Sequence, residues 1–191
     1  QLKASTGASA EEMQKMNRVL KDTYNNNYGE SYGDVADVME RIRQTLGEMD
    51  ASNLQETTES AVALRDTFDM DYQEQLRAVK SLMQNFGIDA KQAYNLIVQG
   101  AQQGLNKNDD LLDTINEYSA YYAGAGRSAD DFFNSLKNGA EAGTFSVDKL
   151  GDAYKEFTIR AKDTATTTNE GYQILGLNAD KMRAQFAAGG E

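Results

Sequence analysis

The residues that could carry chemistry in this chain are its carboxylates, because histidine and cysteine are both absent. Without them the sequence lacks the usual general base, thiolate nucleophiles, thiolate metal sites and disulfides. Two oxygen-rich stretches, Asp69-Met70-Asp71 and 106–110, have the composition of calcium loops. An EF-hand needs ligands at alternate positions, glycine at the sixth and glutamate at the twelfth, and neither stretch supplies this set. We interpret both as helix N-caps and solvated loops, and we expect no metal and no cofactor.

Paired carboxylates could also support glycoside hydrolysis. Asp130 and Asp131 form such a pair, but they lie in the first turn of a predicted helix, where the helix dipole favours acidic residues. The sequence also lacks the Gly-x-Ser-x-Gly elbow of α/β-hydrolases. We therefore expect that this segment is not an enzyme, and a cell-wall hydrolase module remains a minor alternative.

Composition predicts an all-α fold built as an irregular array of short amphipathic helices. The 191 residues include no proline, so only the sixteen glycines interrupt helices. A net charge of −11 without a basic cluster argues against nucleic-acid binding as the main role. No apolar run approaches the roughly 18 residues of a membrane span. Because the chain starts at Gln1 without methionine, we expect both ends to be cuts within a longer polypeptide.

The central part of the chain contains the same unit twice, at 87–118 and 126–157. An offset of 39 residues aligns glycines, alanines and other anchor positions in the two copies. Such matches predict two tandem helical hairpins, each of which is too short to bury its apolar face alone. The identical pairs are Gly87/Gly126, Ala90/Ala129, Asn95/Asn134, Gly100/Gly139, Ala101/Ala140, Gly104/Gly143, Asp109/Asp148, Leu111/Leu150, Asp113/Asp152 and Glu117/Glu156.

The repeat opens with a compact helix-to-helix joint, in which a C-cap glycine is followed two residues later by an N-cap residue. The same joint recurs outside the repeat, at 7–10 and at 176–179. A second glycine in each copy, Gly104 or Gly143, fits either a helix C-cap or a small-xxx-small packing pattern, and we favour the cap. The predicted joint residues are Gly87, Asp89, Gly104, Gly126, Ser128, Gly143, Gly176 and Asn178.

Four further residues are candidates for close packing or for a partner surface. Gly100 and Gly139 are predicted to lie inside helices, where glycine costs about 1 kcal/mol relative to alanine, so we expect tight packing there. Tyr118 and Tyr122 share a helix face and form either the edge of the core or a surface for a partner.

Helical periodicity also places caps and buried stripes in the other segments. Ser9 and Glu12 form a predicted capping box, and Asp34 is the predicted cap of a helix near residue 35. The clearest stripe is Leu54, Thr57, Ala61, Leu64 and Phe68. The second helix of the second repeat is predicted to bury Val147, Leu150, Tyr154 and Phe157.

From about Ala61 onward the sequence resembles the tape measure proteins of long-tailed bacteriophages and prophages. No single motif is diagnostic, and the resemblance depends on the order and spacing of several stretches. Ala120 departs from the family pattern, which often has proline after Asn-Glu-Tyr-Ser. The stretches that carry the resemblance are 64–68, 82–87, 104–107, 111–114, 116–118, 139–143, 155–160 and 175–180.

The resemblance implies a structural protein around which tail-tube subunits polymerise, whose length sets the tail length and which leaves the tail ahead of the genome. It implies tail-tube and tail-tip proteins as partners, self-association as a trimer or hexamer, and a location in the tail-tube lumen after synthesis in the host cytoplasm. We divide the chain into a looser segment at 1–60, a core module at 61–165 and a truncated helical segment at 166–191. The alternative function is an α-solenoid-like adaptor between proteins.

Overall fold

A computed structural model describes residues 9–189 of the chain. Every regular element in this range is an α-helix, which confirms the predicted all-α fold. Most of the connections between the helices contain a glycine, as the sequence predicts, but residues 69–71 and 161–165 separate helices without one, so glycines are not the sole helix breakers. The helices are α1 Ala10–Asn25, α2 Tyr32–Leu46, α3 Ala51–Phe68, α4 Tyr72–Phe86, α5 Ala90–Gln102, α6 Leu111–Gly124, α7 Ala129–Glu141, α8 Val147–Arg160, α9 Thr166–Ile174 and α10 Ala179–Ala187.

The first compact unit ends at Gly104 and contains α1 to α5. Its centre is α3, which packs against α1, α2, α4 and α5. The predicted stripe of α3 supplies four fully buried residues, Leu54, Thr57, Ala61 and Leu64, whereas Phe68 is only partly buried. Burial of this face against four neighbours supplies the main stabilisation of the unit.

The second compact unit begins at Leu105 and contains α6 to α10. Its core is formed by α6, α7 and α8, each of which packs against the other two. The pair α9 and α10 follows, and Tyr172 of α9 donates a hydrogen bond to the Ala161 carbonyl at 2.8 Å. Phe132 and Leu136 of α7 and Ile115 of α6 are fully buried at the centre of the core.

The two copies of the repeat differ in how their helices pack. The offset of 39 holds for α5 and α7, but α8 begins only 36 residues after α6, because the loop before α8 is three residues shorter. In the second copy, α7 and α8 pack against each other. In the first copy, α5 packs on α3 and α4 in the first unit, whereas α6 packs on α7 and α8 in the second.

Two local predictions are wrong. Ser31, and not Asp34, caps α2, since the Ser31 hydroxyl accepts from the Asp34 backbone N–H at 3.1 Å. Phe157 is 54% exposed although its spacing predicts burial. The buried face of α8 is instead formed by Val147, Gly151 and Thr158, so a glycine that carries no apolar signal sets the orientation of this helix.

Candidate functional site

The three joints within the described residues have the same local geometry. Gly87, Gly126 and Gly176 have φ values of 69°, 73° and 68°, in the left-handed region that glycine adopts without strain. Two residues later, Asp89, Ser128 and Asn178 cap the next helix, and each side chain accepts a hydrogen bond from the backbone N–H three residues on. Asp89 and Ser128 form reciprocal capping boxes with Gln92 and Asp131. The first two residues of the 7–10 joint lie outside the described residues.

The second glycine of each repeat lies just beyond a helix end. Gly104 follows α5 with φ 79°, and Gly143 follows α7 with φ 95°. The Gly104 N–H donates to the Ala101 carbonyl at 2.9 Å, and the Gly143 N–H donates to Ala140 at 3.1 Å. Both glycines therefore terminate a helix in the left-handed conformation.

The acidic residues at 69–71 and Asp131 lie at helix ends, whereas the side chain of Asp110, which precedes α6, makes no capping hydrogen bond, contrary to the N-cap interpretation of 106–110. Asp69 ends α3 with φ 54°, and Asp71 caps α4 by accepting hydrogen bonds from two backbone N–H groups. Asp131 belongs to the Ser128 capping box, and the hydrogen bonds from the Ser128 backbone and hydroxyl hold the pKa of the Asp131 carboxyl below its usual value. Within residues 9–189 no three acidic side chains are grouped as metal ligands.

Tyr118 of α6 and Gly151 of α8 lie at a close approach between these two helices. A Cβ atom on Gly151 would overlap the Tyr118 ring, with Cε2 only 2.8 Å away. The Tyr118 hydroxyl donates to Asp148 Oδ1 at 3.1 Å, one turn earlier on α8. Burial and the Asp148 carboxylate raise the pKa of Tyr118. Tyr118 thus fixes α8 through both ring packing and a polar contact.

Tyr122 occupies the next turn of α6 and is also buried. Its ring stacks on Tyr154 of α8, with centroids 3.7 Å apart, and meets Phe132 of α7 edge-on at 4.7 Å. Its hydroxyl lies 2.7 Å from Ser135 Oγ. Tyr122 therefore packs between all three helices of the core.

The two mid-helix glycines lie in different units. Gly139 of α7 faces Leu150 of α8, and a Cβ on Gly139 would lie 3.0 Å from Leu150 Cγ. Gly100 is buried in α5 of the first unit. The structure thus brings Gly139, Tyr118 and Tyr122 together around α8, while Gly100 belongs to another helix packing.

The periodicity of the sequence gives no signal for the principal polar contact of the first unit. Arg65 of α3 donates from Nη1 and Nη2 to the two carboxylate oxygens of Asp34 at 2.6 and 2.9 Å. The guanidinium also lies 5.1 Å from the centre of the Tyr72 ring. The hydrogen bonds from Arg65 hold the pKa of Asp34 below its usual value and raise that of Arg65. Because 31 residues separate the pair, only the tertiary fold brings them together.

These contacts hold the helices of each unit against one another. None of the helices within 9–189 combines the length and the apolar content that a bilayer crossing requires.

Comparison with known proteins decides the family. The profile of the family described as phage-related minor tail protein matches residues 11–190. The chain belongs to this phage tail protein family. As a tail protein, it is also similar to the probable tape measure protein of Streptomyces phage phiC31, at 28% identity over 102 residues. That match covers 53% of this chain and 14% of the relative, so the chain corresponds to a small part of that protein. No solved structure matches the chain.

Proposed function

We propose that this chain is a segment of a tape measure protein, which serves as a scaffold for tail-tube assembly and takes part in determining tail length. The observation that carries the proposal is the family match over residues 11–190, together with the name of the phiC31 relative. In the assembled virion the segment lies in the tail-tube lumen and contacts tube and tip proteins. It leaves the tail ahead of the genome during infection.

The absence of cysteine is compatible with passage of the chain through the tail tube. A chain without cysteine has no disulfide that would have to be broken before it is unfolded and threaded through a tube. The two helical units are each compact, so we assign this segment to packing or docking inside the tail and place the ruler stretches elsewhere in the protein. Self-association in three or six copies would match the symmetry of a tail.

The test is an in-frame deletion of residues 9–189 from the phage gene, followed by electron microscopy of the particles. A packing or docking segment predicts that tails are absent, or that they keep their length and lose infectivity. Tails shorter by up to about 270 Å, which is 181 residues at about 1.5 Å per residue in an extended helix, would show that the segment also takes part in measuring. Particles with normal tails and normal infectivity would contradict the proposal.

A further inference from the structure

The connection between α1 and α2 differs from the other connections in its aromatic content. Tyr24, Tyr28 and Tyr32 lie within nine residues, and we call residues 24–32 the tyrosine loop. No other connection between helices in the described range contains a tyrosine. The remaining residues of the loop are asparagine, glycine, serine and one glutamate. Tyrosine, asparagine, glycine and serine are the residues in which the protein-binding loops of antibodies are enriched, so the composition indicates an interaction surface.

The backbone of the tyrosine loop is held by hydrogen bonds and close packing. Asn27 ends α1 in the left-handed conformation with φ 66°. The Tyr28 N–H donates to the Thr23 carbonyl at 3.2 Å, as in a Schellman motif. Gly29 has φ 83°, and a Cβ atom there would lie only 2.6 Å from Val35 Cγ2. Because the loop is ordered before any partner arrives, binding loses little conformational entropy in the loop.

Two rings of the loop are stacked, and one of them faces solvent. The centroids of Tyr24 and Tyr32 are 4.4 Å apart, with 38° between the ring planes. Tyr24 is partly buried, whereas Tyr32 is 47% exposed. Tyr118 and Tyr122, in contrast, are buried in the second unit. The exposed aromatic surface is therefore in the first unit, at a ring that its neighbour supports.

The charge around the loop decides the kind of partner. Residues 22–40 contain five acidic residues and no basic residue. Arg65 neutralises Asp34 through the bidentate contact. Asp22 and Glu30, each two residues before a tyrosine of the stacked pair, are exposed and have no ion-pair partner within residues 9–189. A ring face next to carboxylates is complementary to a cation, and it repels an acidic surface.

We infer that the tyrosine loop binds an arginine side chain presented by a partner protein. The guanidinium plane stacks on the exposed ring of Tyr32, and its N–H groups donate to the Glu30 carboxylate. Arginine fits this surface better than lysine, because its planar group stacks on aromatic rings and donates two parallel hydrogen bonds to a carboxylate. The inference concerns the chain in solution and does not depend on the tail role.

The test is an NMR titration of the isotope-labelled chain with a capped peptide of sequence Gly-Arg-Gly-Arg-Gly. The contact is small, so we expect a Kd of about 0.1 to 10 mM at low salt. The shift changes should be concentrated at residues 22–37, and added salt should weaken binding. The same peptide with lysine should bind about threefold more weakly or worse. With citrulline, which keeps the shape and lacks the charge, the peptide should not bind.

Variants separate the ring from the charge. Tyr32→Ala should raise the Kd about fivefold or more, whereas Tyr32→Phe keeps the ring and should change the Kd by less than about twofold. Glu30→Gln should raise the Kd about threefold. The matched controls are Phe145→Ala, which removes an aromatic ring that is 84% exposed, and Glu170→Gln, which removes an exposed charge on α9, and both should leave the Kd unchanged.

Circular dichroism of the variants shows whether they remain folded. Shift changes spread over acidic residues of both units would mean non-specific attraction to an acidic chain, and they would overturn the inference. Equal binding of the citrulline peptide, or equal effects of Glu30→Gln and Glu170→Gln, would also overturn it. So would a wild-type chain that shows no shift changes at about 10 mM peptide.

Discussion

Gly151 of α8 leaves the space that the ring of Tyr118 occupies on α6, so a single missing side chain sets the distance between these helices. Both residues are buried, and the Tyr118 hydroxyl is held by Asp148 on the same face of α8. A rigid ring against backbone cannot yield as the end of a flexible side chain can. An added side chain at Gly151 therefore has no room unless the Tyr118 ring or the helices move.

Gly151→Ala should therefore destabilise the chain by about 1 to 3 kcal/mol, because overpacking outweighs the higher helix propensity of alanine. The matched control is Gly171→Ala in α9, where no atom lies within 4 Å of the added Cβ. That variant should be more stable by about 0.5 to 1 kcal/mol. Urea unfolding followed by circular dichroism measures both, and a Gly151→Ala variant as stable as the wild type would contradict the close approach.

A second pair of variants compares a tyrosine whose hydroxyl is hydrogen-bonded with one whose hydroxyl is not. Tyr118→Phe removes the hydrogen bond to Asp148 and should cost about 1 kcal/mol. Tyr94 is fully buried and its hydroxyl has no partner among the described residues. Tyr94→Phe should therefore leave stability unchanged or raise it by about 1 kcal/mol. The free energies of unfolding of the two variants, measured by urea denaturation, test this difference. An equal loss of stability in both variants would mean that the Tyr94 hydroxyl is hydrogen-bonded in solution.

The pair of Asp34 and Arg65 makes the stability of the first unit depend on pH. The pKa of Asp34 is lower in the folded chain than its ordinary value near 3.8, so its contribution is present above that value and is lost as the pH falls through the folded pKa. Asp34→Asn should cost about 1 to 3 kcal/mol at pH 7 and flatten the decline of stability below about pH 4. Unfolding free energies measured from pH 7 to pH 2 test this.

The control for this pair is Glu74→Gln, which removes the exposed ion pair with Arg77. Exposed pairs of this kind contribute little, so the stability at pH 7 should change by less than about 0.5 kcal/mol. If Asp34→Asn were equally mild, or if it kept the full acid dependence of the wild type, the bidentate contact would not be the source of the effect.

A substitution at a joint glycine tests backbone strain alone, without a steric clash. Gly87 has φ 69°, and an added Cβ would meet nothing within 4 Å. Gly87→Ala should cost about 1 to 2 kcal/mol through left-handed backbone strain alone. Gly87→Asn should cost less, because asparagine tolerates this conformation better. Thermal and urea unfolding of the two variants give the comparison, and equal stability of Gly87→Ala and the wild type would contradict a joint of this geometry.

Features that depend on residues close together in the sequence could be predicted from it. The capping box of Ser9 and Glu12 and the stripe of α3 follow from hydrogen bonds and periodicity within a few turns. The cap of α2 could not be predicted in this way, because Ser31 and Asp34 are both residue types that cap helices well. The Asp34 carboxylate instead accepts hydrogen bonds from Arg65, which lies far along the chain. The prediction of the buried face of α8 was wrong because Gly151 contributes to packing by lacking a side chain, which hydrophobic periodicity does not register.

The repeat also shows that local sequence does not determine which helices pack together. Its glycines and caps predicted where α5 and α7 begin, but the shorter loop before α8 shifts the second helix by three residues relative to the first copy. Helices with similar sequences then pack on different partners, because burial is decided by the neighbours that the whole unit provides.

The most direct test of the tail assignment is protease treatment of purified virions that carry an epitope tag within this segment, before and after triggered genome ejection. A segment in the tail-tube lumen predicts that the tag survives protease in intact virions and is released or cleaved after ejection. Cleavage in intact virions as fast as that of an exposed tail protein, or absence of the tag from purified tails, would contradict the account.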